Sequence, residues 1–135
     1  MNGKLEFEGE FLFDKKWDGK GYNELGNILY ELLDGNGKVR EYNAYSGELL
    51  FEGEYLKGKR NGKGKDYNHY NGKLEFEGEY LNGKRNGKGK EYDYFGKLEF
   101  EGEYLNGERN GKGKEYYQGK LIFEGEYLNG VKILK

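Results

Sequence analysis

The chain holds one histidine, His69, and one serine, Ser46, with no threonine and no cysteine, so the usual carriers of nucleophilic and thiol chemistry are nearly absent. A Ser–His pair becomes catalytic only when a third group orients the imidazole and donors form an oxyanion hole. Ser46 and His69 fall in the turns of two adjacent sequence units, and nothing around them supplies either need. Carboxylates are plentiful, and Glu77 and Glu79 are spaced to lie on one strand face, where a pair could do acid–base work. Lysines of the same repeat should hold both ionised and exposed, which makes this a solvated charge face. Residues 78–84, GEYLNGK, copy most of a phosphate-binding loop, but Arg85 stands where a Ser or Thr must reach magnesium, and no helix follows. With one His, no Cys and no Asp/Gly spacing of an EF-hand, no metal is expected. The sequence therefore predicts no catalytic, cofactor-binding or metal-binding residues, and no enzyme.

The elements that position these groups recur. A unit of about 24 residues, FEGEYL(N/K)G(K/E)RNGKGK(D/E)Y, begins at Phe51, Phe76 and Phe100, restarts at Phe123 and has a looser relative at Phe7. The step from Phe to the first Gly of GKG is constant (Phe51 to Gly62, Phe76 to Gly87, Phe100 to Gly111), whereas the step onward to the next Phe loses one residue each time. Insertions collect in surface turns, which places inter-repeat turns at residues 67–72, 92–96 and 116–119. In residues 74–80 the apolar residues and glycine take one parity and the glutamates the other, the period of a half-buried strand. Asn82-Gly83 then suits a two-residue hairpin turn, because both positions accept positive φ; Lys57-Gly58 is a poorer version. Counting from that turn sets Leu81 opposite Lys84, Tyr80 opposite Arg85, Gly78 opposite Gly87, Glu77 opposite Lys88 and Phe76 opposite Gly89. One parity is a Glu/Lys ladder, and the other is an aromatic lane with rings over glycine.

Composition supports an array of such hairpins. Hydrophobic residues make up 34% of the 135 positions and charged residues 36%, with 25 glycines, so no thick core can be assembled and the aromatic 17% must carry the packing. A single hairpin buries too little to offset its ordering entropy, so neighbours must stack. The expected fold is all-β, an elongated, curved and twisted single-layer sheet of five to six hairpins. One array should span 1–135, with degenerate repeats over 1–48, regular repeats over 49–129 and a C-terminal cap at 130–135. Val39 stands where Gly64 would be, and Trp17 marks an irregular first hairpin. Val131, Ile133 and Leu134 are expected to close the aromatic lane.

A formal net charge of −2 supplies no long-range field for nucleic acid or an anionic membrane, so no nucleic-acid partner is expected. No apolar run reaches a membrane span and no leader segment is recognisable, which reads as a cytoplasmic chain. The rings at Phe51, Tyr55, Phe76, Tyr80, Phe100, Tyr104, Phe123 and Tyr127 chiefly build the sheet, but a one-layer sheet should leave ring edges open as a groove for a protein or peptide segment, or for a second copy. The alternative is a peripheral membrane module whose basic turn residues Lys59, Arg60, Lys84, Arg85 and Arg109 contact acidic phospholipids, a row that Glu108 interrupts.

The unit FEGEYLNGKRNGKGKEY resembles the MORN repeat, closely over residues 49–130 and loosely over 3–48. The resemblance implies a β-hairpin solenoid with an open groove, roles in scaffolding, membrane association and dimerisation, and no catalysis. Related variant repeats in bacterial antitoxins leave an antitoxin-like role as a further alternative. Family strands often carry Trp at the second aromatic position, where this chain has Phe11, Tyr55, Tyr80, Tyr104 and Tyr127, so no lipid specificity carries over.

Overall fold

The computed structural model describes residues 6–12, 15–22, 28–32, 35–43 and 45–134, and for residues 6–32 the backbone alone apart from Gly19. The strands are β1 (Glu6–Leu12), β2 (Lys15–Tyr22), β3 (Ile28–Leu32), β4 (Gly37–Tyr42), β5 (Leu49–Leu56), β6 (Lys59–Tyr67), β7 (Leu74–Leu81), β8 (Lys84–Tyr92), β9 (Leu98–Leu105), β10 (Glu108–Tyr117), β11 (Lys120–Leu128) and β12 (Val131–Ile133). There is no helix among the described residues. The strands form two antiparallel ladders in chain order, a 3-stranded one from β1 to β3 and a 9-stranded one from β4 to β12. The expected open antiparallel sheet of serial hairpins is present in the nine-stranded ladder, while β1 to β3 form a separate ladder and do not continue it.

The two-residue turns from β5 onward close through a pair of left-handed residues, Asn82 (φ 50°) and Gly83 (φ 88°) being one example, which matches the twist of the flanking strands. Lys57-Gly58 and Gln118-Gly119 make the same turn, although neither Lys nor Gln is suited to positive φ. The turns are tied together across repeats. The Gly83 amide donates to the Arg60 carbonyl (2.8 Å), and the Asn82 amide donates to Asn61 Oδ1 (3.3 Å). This pattern recurs at Gly107 with Arg85 and at Asn106 with Asn86. The Asn of each Arg-Asn-Gly run thus serves as a side-chain acceptor for the next turn.

The register differs from the simple count. Leu81 faces Lys84 and Tyr80 faces Arg85, but the pairing then shifts, so that Gly78 faces Gly89, Glu77 faces Lys90 and Phe76 faces Glu91. Asn86, Gly87 and Lys88 all lie opposite Glu79, forming a bulge. Two features of the repeat make it. Gly87 takes φ +105°, a conformation costly for other residues, and Glu79 Oε2 accepts the Lys88 amide at 2.7 Å. Glu54 and Glu103 do the same for Lys63 (2.6 Å) and Lys112 (2.8 Å). Because the shift is two residues and not one, every side chain stays on the face that the alternation predicts.

The second glycine of GKG makes room. A Cβ on Gly89 would lie 2.5 Å from Phe76 Cζ and 3.0 Å from Tyr104 Cε1. Phe76 therefore does cover Gly89, reaching it diagonally and not as its paired neighbour. Inter-repeat loops use another local device. Asn43, Asn68 and Asp93 each turn their side-chain oxygen onto amides two to four residues ahead, as from Tyr70 to Asn68 (2.8 Å) and from Phe95 to Asp93 (2.9 Å). The last loop shrinks to the two-residue Gln118-Gly119 turn.

Val39 takes the glycine position opposite Gly53 and is buried. Trp17 lies where the β1–β2 register slips, outside the residues whose side chains are described. At the other end, Val131, Ile133 and Leu134 are exposed and do not close the aromatic lane. Strand alternation sends Val131 and Ile133 to the charged face, beside Leu128 and Glu126, and brings Lys132 to the rings instead.

Two substitutions test this account by urea unfolding. Lys57→Asn should stabilise the protein by roughly 0.5–1 kcal/mol, by relieving a long side chain of positive φ. Gly89→Ala should destabilise it by about 1–3 kcal/mol or more, because the new methyl meets a buried ring.

Candidate functional site

One face of the sheet is closed. Phe51, Phe76 and Phe100 are each 0% exposed, and Tyr80, Tyr104 and Tyr127 are buried beside them. The rings meet edge to face in one continuous chain. Phe51 contacts Tyr80 (5.4 Å, 89°), Tyr80 contacts Phe76 (5.7 Å), Phe76 contacts Tyr104 (5.2 Å), and the series continues through Phe100 and Tyr127 to Phe123. A second sheet would normally cover such a row; here cations do. Arg60 lies over Phe51 at 3.8 Å, Arg85 over Phe76 at 3.9 Å and Arg109 over Phe100 at 4.1 Å, while Lys132 takes the last place over Phe123 at 4.9 Å.

Carboxylates lock this lid. Arg109 bonds Glu91 through Nε (2.9 Å) and Glu115 through Nη1 (3.2 Å), and Arg60 holds Glu41 and Asp66 in the same way (both 3.2 Å). The same acids accept the tyrosine hydroxyls: Tyr80 donates to Asp66, Tyr104 to Glu91, Tyr127 to Glu115 (2.6 Å) and Tyr55 to Glu41 (2.6 Å). Burial, and then the bond to Asp66 or Glu91, raises Tyr80 and Tyr104 well above the ordinary phenol range. Burial pushes the Glu91 carboxyl up, but the donors on Arg109 and Tyr104 outweigh it and hold the group below its usual range.

The eight rings expected to line a partner groove are therefore the core, with Tyr55 and Phe123 packed half-buried against it. A one-layer sheet does not leave this face open, because long arginines fold over it. The five basic residues expected to form one anion-binding row are divided by strand alternation. Arg60, Arg85 and Arg109 belong to the ring face and its carboxylates, whereas Lys59 and Lys84 lie exposed across from Leu56 and Leu81 on the opposite face. Ser46 and His69 lie on exposed loops, where Ser46 Oγ accepts the Glu48 amide and the His69 ring tilts against Tyr70.

The opposite face carries the open groove, with a volume of about 1590 Å³. It runs across the sheet from β4 to β11, from Lys38 and Arg40 to Glu124 and Glu126. Its floor is peptide backbone at a glycine on nearly every strand (Gly53, Gly64, Gly78, Gly89, Gly102, Gly113, Gly125), and its acidic and basic residues are equal in number. Sign alternates from strand to strand along it: Glu52 faces Lys65, Lys65 faces Glu77, Glu77 faces Lys90, Lys90 faces Glu101 and Glu101 faces Lys114. The glutamates are fixed from below or beside. Tyr67, Tyr92 and Tyr116 donate to Glu52 (2.8 Å), Glu77 (2.7 Å) and Glu101 (2.7 Å), and the bulge amides hold Glu54, Glu79 and Glu103. Burial first, and the Glu52 and Glu77 bonds second, push Tyr67 and Tyr92 up to about 12. At the turn-side rim the leucines Leu56, Leu81, Leu105 and Leu128 form a row, each 45% to 56% exposed. The Glu/Lys ladder was legible in the sequence; its enclosure as a groove with an apolar rim was not.

These hydroxyls make stability fall in alkali. Their folded state favours the neutral phenol, so the stabilisation is complete below the unfolded value near 10 and is lost as pH climbs toward the raised folded values. Glu91 acts oppositely: its contribution is present above the unfolded carboxyl value of about 4.3 and disappears as pH falls through its lowered folded value. Urea unfolding should therefore give a plateau from roughly pH 5 to 10 with losses on both sides. Tyr104→Phe should cost about 1.5–3 kcal/mol at neutral pH and flatten the alkaline limb.

No helix among the described residues is long and apolar enough to cross a membrane. A comparison with curated proteins finds no match. The family model for the MORN repeat matches residues 51–65, 76–94 and 100–120, three consecutive copies whose strands, bulges and turns are those just described. MORN repeats are non-enzymatic modules of protein or membrane interaction, often membrane-associated. The agreement of the matched repeats with the hairpin geometry makes this chain a member of the MORN-repeat family.

Proposed function

We propose that this chain is a non-enzymatic protein-interaction module that holds an elongated segment of a partner along the charged groove. The observation that carries this reading is the asymmetry of the sheet. One face is sealed by arginine over rings, while the other presents an uninterrupted, charge-balanced groove with a backbone floor. A balanced groove attracts weakly at long range and discriminates at short range, so it selects by pattern of charge and not by net charge. Glutamates already held by tyrosine and by bulge amides lose little freedom when a partner binds, which favours affinity. A lipid-surface reading has support in Lys59 and Lys84, exposed beside the leucine rim, but the glutamates of the same face oppose an anionic membrane.

Selection of a phage-displayed random peptide library on the intact chain tests the proposal. Enriched peptides should lose at least about tenfold in affinity for a Lys65→Glu/Lys90→Glu/Lys114→Glu variant and keep it for Tyr104→Phe. Peptides indifferent to the groove variant would overturn the proposal. So would binding to phosphatidylserine vesicles that depends on Lys59 and Lys84 and ignores the groove.

A further inference from the structure

Three columns run side by side along the open face, and their spacings constrain what can lie on them. Neighbouring strands are about 4.8 Å apart, so charge changes sign at that interval and returns to the same sign after about 9.6 Å, one repeat. The leucines of the rim lie on every second strand, β5, β7, β9 and β11, and so share the one-repeat interval. An extended strand presents same-face side chains about 6.8 Å apart and fits neither interval. A polyproline-type segment repeats every three residues at about 9.3 Å, but turns one side chain per repeat toward the floor and meets a single sign. An α-helix rises about 1.5 Å per residue, so positions three apart lie about 4.5 Å apart and positions seven apart about 10.5 Å. Those are the intervals of the charge alternation and of the leucine row. Across four leucines the mismatch accumulates to roughly 3 Å, within the reach of Glu and Lys side chains.

We infer that the occupant of the groove is an amphipathic α-helix. Its apolar residues recur about every seven positions and rest on Leu56, Leu81, Leu105 and Leu128, and its flanking face alternates acidic and basic residues against Lys65, Glu77 and the rungs that follow. This rests on the reading of the charged groove as the partner site. The leucines explain what the glycine floor alone leaves open. They are apolar, exposed and in line, and they protrude where the charged columns end.

The test uses the intact chain and a fluorescein-labelled synthetic helix of roughly four heptads, with leucine at heptad spacing and glutamate alternating with lysine beside it. A second probe of the same composition carries proline at every third position. By fluorescence anisotropy the helical probe should bind at least about tenfold more tightly than the proline probe. It should lose about tenfold or more on Leu81→Ser/Leu105→Ser, and a similar factor on Lys65→Gln/Lys90→Gln/Lys114→Gln. Leu81, Leu105, Lys65 and Lys90 are exposed and Lys114 is half-buried, and circular dichroism of each variant verifies its fold. Equal or tighter binding of the proline probe would overturn the helix while leaving the groove as the partner site, provided that the lysine variant still weakens it. Failure of both probes, with library-selected peptides still dependent on the groove, would also overturn the helix alone. Helix binding indifferent to both variants would place the contact elsewhere and overturn the inference. So would vesicle binding or self-association, read by light scattering, that disappears on Leu81→Ser/Leu105→Ser.

Discussion

A phenylalanine ring lying over a missing side chain is the contact on which this molecule depends. A single-layer sheet has no second layer to supply a core, so each repeat makes one within its own thickness. Phe76 spreads over Gly78 and Gly89, Tyr80 and Tyr104 meet it at near right angles, and Arg85 lies over its ring. Removing the glycines removes the room, and removing the arginine exposes the ring. The hydroxyl–carboxylate–guanidinium chain links successive lids, so a repeat is completed by its neighbour and not by itself.

The bulge is the second constraint, and it explains why the repeat spells Arg-Asn-Gly-Lys-Gly. Arg caps the ring, Asn accepts from the next turn, the first Gly adopts positive φ, the Lys amide goes to a glutamate across the strand, and the second Gly admits the ring. Five consecutive residues thus carry five different physical tasks. The same segment cannot vary freely, whereas the loops after the Asp/Glu-Tyr pair, which only have to reverse the chain, differ in length from repeat to repeat.

The division of labour between the faces follows. Packing consumes one face entirely, including the aromatic residues and arginines that stand out in the sequence as candidate contacts. The other face is left open, and its residues are individually ordinary. Glutamate, lysine and leucine form a patterned surface only because strands at a fixed interval place them in columns.

The strand period, the Asn-Gly turns and the repeat itself are local properties, and the residues alone determined the all-β hairpin array and the sorting of Glu and Lys from Phe, Tyr and Gly. That sorting survived a wrong register, since alternation depends on parity and the bulge shifts pairing by two. What only tertiary structure decided is nonlocal: the bulge opposite Glu79, the burial of the rings and the groove on the charged face. A carboxylate reaching a bulge amide across a strand, and an arginine folding over a ring near the far end of its hairpin, are choices among conformers with equal local propensity. Packing between neighbouring strands selects among them, because it leaves no other place for a buried ring or a turned amide to go.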